Sequence, residues 1–214
     1  MPRLADLPTR DRLLAAGQAL ARRQGLRALT VRAVAARAQV NLGSFVYHFG
    51  NRDTFVGELI ERWYAPLFSQ LQLDADSGAD ALAALRAALL HLVDWLAGNR
   101  AFVAQLLLDA AAGERAARQF LRGVDTRHPA LLHTLVQRAQ AAGALQAGDP
   151  WHQLMFLMST LALPLLLLQM AGARPAAAPA LLKTLGALAA DPRAVRQRLD
   201  WALAGLVPRK EMPA

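Results

Sequence analysis

The chain has 214 residues, 55% of them hydrophobic and none of them cysteine. It is long enough to bury its own core, and disulfides, cysteine–zinc sites and thiol catalysis are excluded. Alanine and leucine prevail over the residues typical of sheets, so the composition favours an all-α fold. The N-terminus has no apolar signal-peptide core, so a cytoplasmic protein is expected.

The positive charge is concentrated at the N-terminus. Residues 1–52 hold nine arginines and two acidic residues, so they carry +7 of the total net charge of +8. A basic segment joined to a nearly neutral remainder is typical of a nucleic-acid-binding domain. A solvated arginine-rich surface is the alternative interpretation.

Four helices are predicted in the first third of the chain, because apolar side chains recur there at helical spacing between capping residues. Gly25 is expected to end the first helix, and Thr30, Asn41 and Asn51 are suitable N-caps for the next three. The predicted helices cover residues 9–24, 30–37 and 41–49, and a long fourth helix begins at Asn51 and ends in a polar break over residues 72–80.

Further helices are predicted in the remainder. Leucines that repeat with steps of three and four over residues 82–96 indicate a helix packed lengthwise on a neighbour, and Gly98-Asn99 is expected to end it. Asp149-Pro150 and Asp191-Pro192 each combine an N-cap with proline at the first helical position. The other predictions are helices over residues 102–112, 115–121, 129–142, 150–170 and 192–206, and a loop over residues 172–179.

Two short helices around a tight turn, within a basic N-terminal segment, are the pattern of a helix-turn-helix. Phe45 and Phe49 lie one turn apart on the third helix, so they are expected to be buried together and to leave the opposite face exposed. Small residues on that face allow entry into the major groove, hydroxyl and imidazole groups can reach phosphates, and Val46 can touch a thymine methyl. Arg52, in the first turn of the fourth helix, is expected near phosphate. The exposed face is predicted to hold Gly43, Ser44 and Tyr47, flanked by Val46 and His48.

Residues 29–53, with the sequence LTVRAVAARAQVNLGSFVYHFGNRD, resemble the DNA-binding signature of the TetR family of bacterial regulators. The similarity extends over about residues 9–60. It implies a three-helix helix-turn-helix DNA-binding domain over residues 1–52 and a C-terminal helical-bundle domain for dimerisation and ligand sensing over residues 53–214. Gln39 stands where the family most often has glycine, and Val46 where it often has tyrosine.

The resemblance also implies roles for individual side chains. Phosphate contacts would come from Thr30, Tyr47, His48 and Arg52. Contacts along the bases would come from Leu42, Gly43, Ser44 and Val46. Arg32 and Asn41 complete the set of candidate DNA-binding residues.

The C-terminal two thirds are expected to dimerise, because a twofold dimer places two recognition helices one DNA turn apart. The candidate helices begin at Pro150 and Pro192. Residues 154–168 are apolar except for Ser159 and Thr160, and burial by core and partner explains this run better than a membrane span, for which it is too short.

In the TetR family, aromatic, soft and polar side chains of this domain line a pocket in which a small molecule shifts the dimer away from its DNA-binding spacing. Ordinary core packing is the alternative for each residue. The candidate ligand-binding residues are Trp63, Trp95, Phe102, Gln105, Phe120, Trp151, Met155 and Met158.

Catalytic signatures are missing from the sequence. It has no glycine-rich phosphate loop, no H-E-x-x-H and no G-x-S-x-G, and its five histidines lack metal-ligand spacing. Neither enzymatic activity nor a cofactor or metal is therefore expected. The main hypothesis is a ligand-responsive transcriptional regulator, a repressor that binds a palindromic operator as a homodimer without contacting a membrane. The alternatives are a basic helical membrane-surface or scaffolding protein without sequence-specific DNA binding, and a small helical enzyme.

Overall fold

The computed structural model describes residues 7–78, 80–170 and 180–208. Of the residues in these ranges, 79% are helical and none lies in a strand, which confirms the all-α prediction. The predicted loop over residues 172–179 lies outside the described residues. The helices are α1 (Thr9–Gln24), α2 (Val31–Ala38), α3 (Leu42–Phe49), α4 (Arg52–Ala75), α5 (Ala81–Ala111), α6 (Arg115–Arg122), α7 (His128–Ala141), α8 (Pro150–Leu161), α9 (Leu163–Met170), α10 (Ala180–Ala190) and α11 (Pro192–Ala204).

The chain forms two compact units. The first comprises Met1–Pro66 and Ala101–Val124, and the second comprises Leu67–Arg100 and Asp125–Ala214, so α4 and α5 each contribute to both. In α4 the boundary falls at Pro66, a residue that has no N–H for the helical ladder. These units are defined by packing, and the division into a DNA-binding domain over residues 1–52 and a second domain over residues 53–214 stays a prediction.

The first unit has a core in which α1 packs closely on the start of α4. Phe45 and Phe49 are buried as predicted, and their rings pack against that of Phe55 at centroid distances of 5.0 and 4.9 Å. At Gly17 of α1 a Cβ atom would lie 2.5 Å from Cζ of Phe55, so only glycine permits this approach. Gly25 ends α1 with a φ of 80°, as its position in the sequence predicts.

Helix α5 is continuous, so the prediction that Gly98-Asn99 ends a helix is wrong. The Asn99 side chain donates to the carbonyl of Trp95 at 2.8 Å and thereby supports the helix locally. One glycine costs a helix about 1 kcal/mol, and the burial of large apolar residues on both sides of Gly98 outweighs that cost. Among the described helices, α5 also has the length and hydropathy to cross a membrane, a criterion that a buried core helix meets equally well.

The second unit corrects the prediction of one helix over residues 150–170. The chain breaks at Ala162 between α8 and α9, because Pro164 cannot donate to the carbonyl of Thr160. The two Asp-Pro caps are confirmed: Asp149 accepts from the backbone N–H of Trp151 at 2.7 Å, and Asp191 caps α11 in the same way. Helix α10 is an addition that the sequence patterns do not predict, and α4 extends to Ala75, into the predicted polar break.

Candidate nucleic-acid interface

Side-chain caps fix both helices of the helix-turn-helix. Thr30 accepts a hydrogen bond from the backbone N–H of Ala33 at 3.1 Å, and Asn41 accepts one from the N–H of Ser44 at 2.8 Å, so both predicted N-caps are confirmed. Gln39 closes the turn in the left-handed conformation, with φ 56° and ψ 46°. A non-glycine residue is strained there, and the turn accepts its side chain as the sequence requires.

Arg12 of α1 holds this turn from the side. Its Nη2 atom donates to the carbonyl of Ala38 at 2.7 Å and to that of Gln39 at 2.9 Å. These bonds satisfy carbonyl groups at the end of α2 that have no helical partner. Arg12 is therefore a positioning residue for the turn. The sequence does not reveal this role, because in the sequence Arg12 is simply one of the arginines of the basic segment.

The face of α3 opposite Phe45 and Phe49 is open to solvent. Tyr47 is 85% exposed, Val46 56% and Leu42 45%, whereas Ser44 and His48 are partly covered. Tyr47 is therefore not a core residue, as its predicted place on the exposed face requires. An exposed apolar and phenolic face on the second helix of a helix-turn-helix has the shape and chemistry to enter the major groove.

Arg52 is engaged within the protein. Its Nε donates to the carbonyl of Leu29 at 2.6 Å, and its Nη2 donates to that of Leu26 at 2.7 Å. The remaining donors form a bidentate ion pair with Glu114, with Nη2 2.9 Å from Oε2 and Nη1 3.2 Å from Oε1. Hydrogen bonding to Glu114 raises the pKa of Arg52 despite its partial burial. In this conformation the guanidinium positions the connection between α1 and α2, and its predicted contact with phosphate stays a prediction.

A second buried carboxylate holds the same connection. Asp109, near the end of α5, accepts from the backbone N–H of Leu26 at 2.6 Å and from Nε2 of Gln105 at 3.0 Å. At the neighbouring Gly25, whose φ is 80°, an added Cβ atom would lie 2.7 Å from Nε2 of Gln105 and would displace that amide. Sequence reasoning missed Asp109 and Glu114. The only signal for Asp109 is an acidic residue within the apolar last third of α5, over residues 101–111.

The eight arginines of the basic segment that lie within the described residues fall into two groups. Arg10, Arg12 and Arg52 bind groups of the protein itself, and Arg10 does so through Glu58 at 2.5 Å. The second group projects into solvent from α1, from α2 and from the connection between them. It consists of Arg22, Arg23, Arg27, Arg32 and Arg37.

The predicted ligand-binding residues divide between the two units. In the first unit the rings of Trp63 and Phe102 lie 4.3 Å apart and buried, and Phe120 packs edge-on against Tyr64 at 5.2 Å. Gln105 is bonded to Asp109 as described above. In the second unit Trp95 and Met158 are half-buried, whereas Trp151 and Met155 are exposed. Their roles in ligand binding stay predictions.

A cavity of about 380 Å³ opens in the second unit between the end of α4 and the start of α7. Phe68, Leu131, Thr134 and Arg138 are among its lining residues, and none of the eight predicted ligand-binding residues is. Within the described ranges, no group of three or more histidine or acidic side chains is arranged to hold a metal ion.

Large apolar side chains are exposed on all four helices from α8 to α11. Trp201 on α11 is 65% exposed and Met155 on α8 is 61% exposed. Exposed large apolar side chains that gather into one patch are characteristic of interaction sites. The remaining members are Trp151, Phe156, Leu163, Leu167, Leu181, Leu185 and Leu188.

Comparison with known proteins gives a match in sequence and several in fold. The sequence profile described as bacterial regulatory proteins of the tetR family matches residues 13–59. No curated protein sequence matches the chain significantly.

Three solved structures illustrate the likeness in fold. A protein of Mesorhizobium loti assigned to the TetR family of transcriptional regulators has a TM-score of 0.68 at 16% identity, over 97% of this chain and 100% of that one. SmeT is the repressor of the Stenotrophomonas maltophilia multidrug efflux pump SmeDEF, and its structure in complex with triclosan has a TM-score of 0.69 at 22% identity. The match covers 96% of this chain and 99% of that one. The ketosteroid transcriptional regulator KstR2 of Mycobacterium tuberculosis has a TM-score of 0.63 at 21% identity, over 94% of this chain and 96% of that one.

Proposed function

The chain has a TetR-family DNA-binding domain at residues 13–59 and the fold of TetR-family transcriptional regulators, and from this premise we propose that it is a ligand-responsive repressor that binds a palindromic operator as a homodimer. The observation that carries the proposal is the exposed face of α3. Side-chain N-caps fix α2 and α3, and hydrogen bonds from Arg12 hold the turn between them. The proposed division is a DNA-binding domain over residues 1–52 and a sensing and dimerisation domain over residues 53–214. The proposed place of action is the cytoplasm, and no enzymatic step is part of the proposal.

Binding to DNA would combine base contacts from α3 with phosphate contacts from its surroundings. Leu42, Gly43 and Val46 lie on the exposed face, where base edges can be reached. Tyr47 and His48 follow towards the end of the helix, and Thr30 and Arg32 lie at the start of α2. Hydroxyl, imidazole and guanidinium groups at such positions supply phosphate contacts that fix the register.

Dimerisation would use the apolar surface of α8 to α11. A twofold interface pairs the same patch on both subunits, and such interfaces have aromatic and aliphatic side chains at their centre. Trp201 and Met155, together with Trp151, supply such groups from α11 and α8. In this proposal Trp151 and Met155 belong to the dimer surface rather than to an effector site.

Effector binding would act on the connection between α1 and α2. Trp63, Phe102 and Phe120 supply aromatic surface in the same unit, and Gln105 bonds to Asp109, which in turn holds Leu26. A ligand that forms a hydrogen bond with Gln105 would therefore disturb the bond between Gln105 and Asp109, and through Asp109 the position of Leu26. A small molecule with aromatic or apolar character and a hydrogen-bonding group suits these side chains.

The test is sequence-selective binding to DNA. Purified protein would be titrated onto the DNA immediately upstream of its own gene, with scrambled DNA as competitor, and Tyr47→Ala would be compared with Leu73→Ala, an exposed residue on α4 outside the proposed interface. We expect competitor-resistant binding that Tyr47→Ala weakens and Leu73→Ala does not. Equal displacement by scrambled DNA, followed by a random-sequence selection that yields no motif, would refute the proposal. Binding to anionic lipid vesicles would then favour the membrane-surface alternative.

A further inference from the structure

The exposed face of α3 is distinguished by the side chains that it lacks. The helix has the sequence LGSFVYHF, without the arginine, lysine, amide or acidic residues that form bidentate hydrogen bonds with base edges. The amide of Asn41 at the N-cap is committed as well, since its Oδ1 accepts from the backbone N–H of Ser44 at 2.8 Å and from its hydroxyl at 3.0 Å. Recognition by this helix must therefore rely on other contacts.

Two aliphatic side chains lie on the exposed face of α3 in place of residues that form hydrogen bonds with bases. Leu42 and Val46 are exposed by 45% and 56%, and they lie one turn apart on the same face. Gly43 lies beside them, and a Cβ atom there would meet only Oδ1 of Asn41, at 3.3 Å, so the backbone can come close to a partner surface. In the major groove the apolar partner for an aliphatic side chain is the 5-methyl group of thymine.

We infer that Leu42 and Val46 form a methyl-reading pair, which selects thymines in each operator half-site through the 5-methyl group. The inference rests on the proposed DNA-binding function and gives the chemistry of its specificity. Residues four apart are separated by about 6 Å along a helix, which matches about two base steps of 3.4 Å. The two thymines therefore lie within about two base pairs of each other. Loss of one buried methyl group weakens binding about fourfold.

Deoxyuridine provides the test, because it differs from thymidine only by this methyl group. A random-sequence duplex pool would first be selected on the purified full-length protein. Each thymine of the enriched half-site would then be replaced singly by deoxyuridine, and affinity would be measured by fluorescence anisotropy at one salt concentration. The proteins compared are the wild type, Leu42→Ala, Val46→Ala and, as the matched control, Leu73→Ala.

We expect two positions, within about two base pairs of each other, at which deoxyuridine weakens wild-type binding about fourfold. Val46→Ala should lose this sensitivity at one position and Leu42→Ala at the other, while Leu73→Ala behaves as the wild type. If the wild type binds a selected motif tightly but tolerates deoxyuridine everywhere, the methyl-reading pair is refuted and the proposed function stands. If no motif is enriched, the proposed function fails and the inference fails with it.

Discussion

The ion pair between Arg52 and Glu114 offers the sharpest test of how the connection between α1 and α2 is held. In Glu114→Gln the shape is kept, but the guanidinium loses its bidentate carboxylate partner and keeps the more distant Asp53, whose Oδ1 lies 3.5 Å from Nη1. The change falls in a place where Arg52 is only 27% exposed and Glu114 only 5%. Breaking a fully buried pair costs about 3–5 kcal/mol, and a hydrogen bond to a charged group contributes about 1.5–3. Because Arg52 keeps some access to water and its two carbonyl partners, we expect a loss of about 2–3 kcal/mol.

The assay is urea unfolding followed by circular dichroism at fixed protein concentration. Arg115→Ala is the matched control, because its side chain is 84% exposed and lies 3.8 Å from Asp53, an arrangement that contributes less than about 1 kcal/mol. A double-mutant cycle with Arg52→Met should give a coupling energy above about 1 kcal/mol. A loss below about 0.5 kcal/mol in Glu114→Gln, or no difference from the control, would refute the reasoning.

Three further predictions concern the turn, a half-buried histidine and the exposed arginines. Gln39→Gly should stabilise the protein by about 0.5–1 kcal/mol in urea unfolding, because glycine relieves the left-handed strain; destabilisation would contradict this. Burial, with a further contribution from the charge of Arg127, lowers the pKa of His128 to about 4. The unfolded chain therefore takes up the proton first, so stability is complete above pH 6.5 and falls by at most about 3 kcal/mol towards pH 4. His128→Gln should flatten this part of the profile of unfolding free energy against pH, and an unchanged slope would argue against it. Finally, Arg32→Ala should make the negative slope of log K against log salt shallower by about 0.9 for each phosphate that the protein no longer neutralises, whereas Arg122→Ala, an exposed arginine outside the basic segment, should leave it unchanged; equal slopes for the two variants would remove Arg32 from the interface.

Local signals made the N-terminal helices predictable. The bounds of α1 are as predicted and those of α2 and α3 differ by one residue, because Gly25, Thr30 and Asn41 act through hydrogen bonds or dihedral angles within a few residues. The burial of Phe45 and Phe49 follows from helical spacing in the same way.

Long-range packing decided the places where prediction failed. Gly98 lies within α5 because the burial of residues on both sides outweighs its low helix propensity. That burial depends on tertiary packing, which the sequence around Gly98 does not reveal. Asp109 and Glu114 act on residues far away in the chain, Leu26 and Arg52, so spacing could not reveal them. The break at Ala162 is different, because its cause, Pro164, is a local feature of the sequence.

The internal arginines have a consequence for which sequence changes the protein can tolerate. Exchanging any arginine for lysine keeps the net charge of +8, and at Arg22 or Arg23, which face solvent, nothing else would change. At Arg52 the planar fork joins the carbonyls of Leu26 and Leu29 and the carboxylate of Glu114 at once, which a single ammonium group cannot reproduce. Charge-conserving substitution is therefore neutral on the outside of this domain and damaging inside it, although both kinds of position look alike in a count of charges.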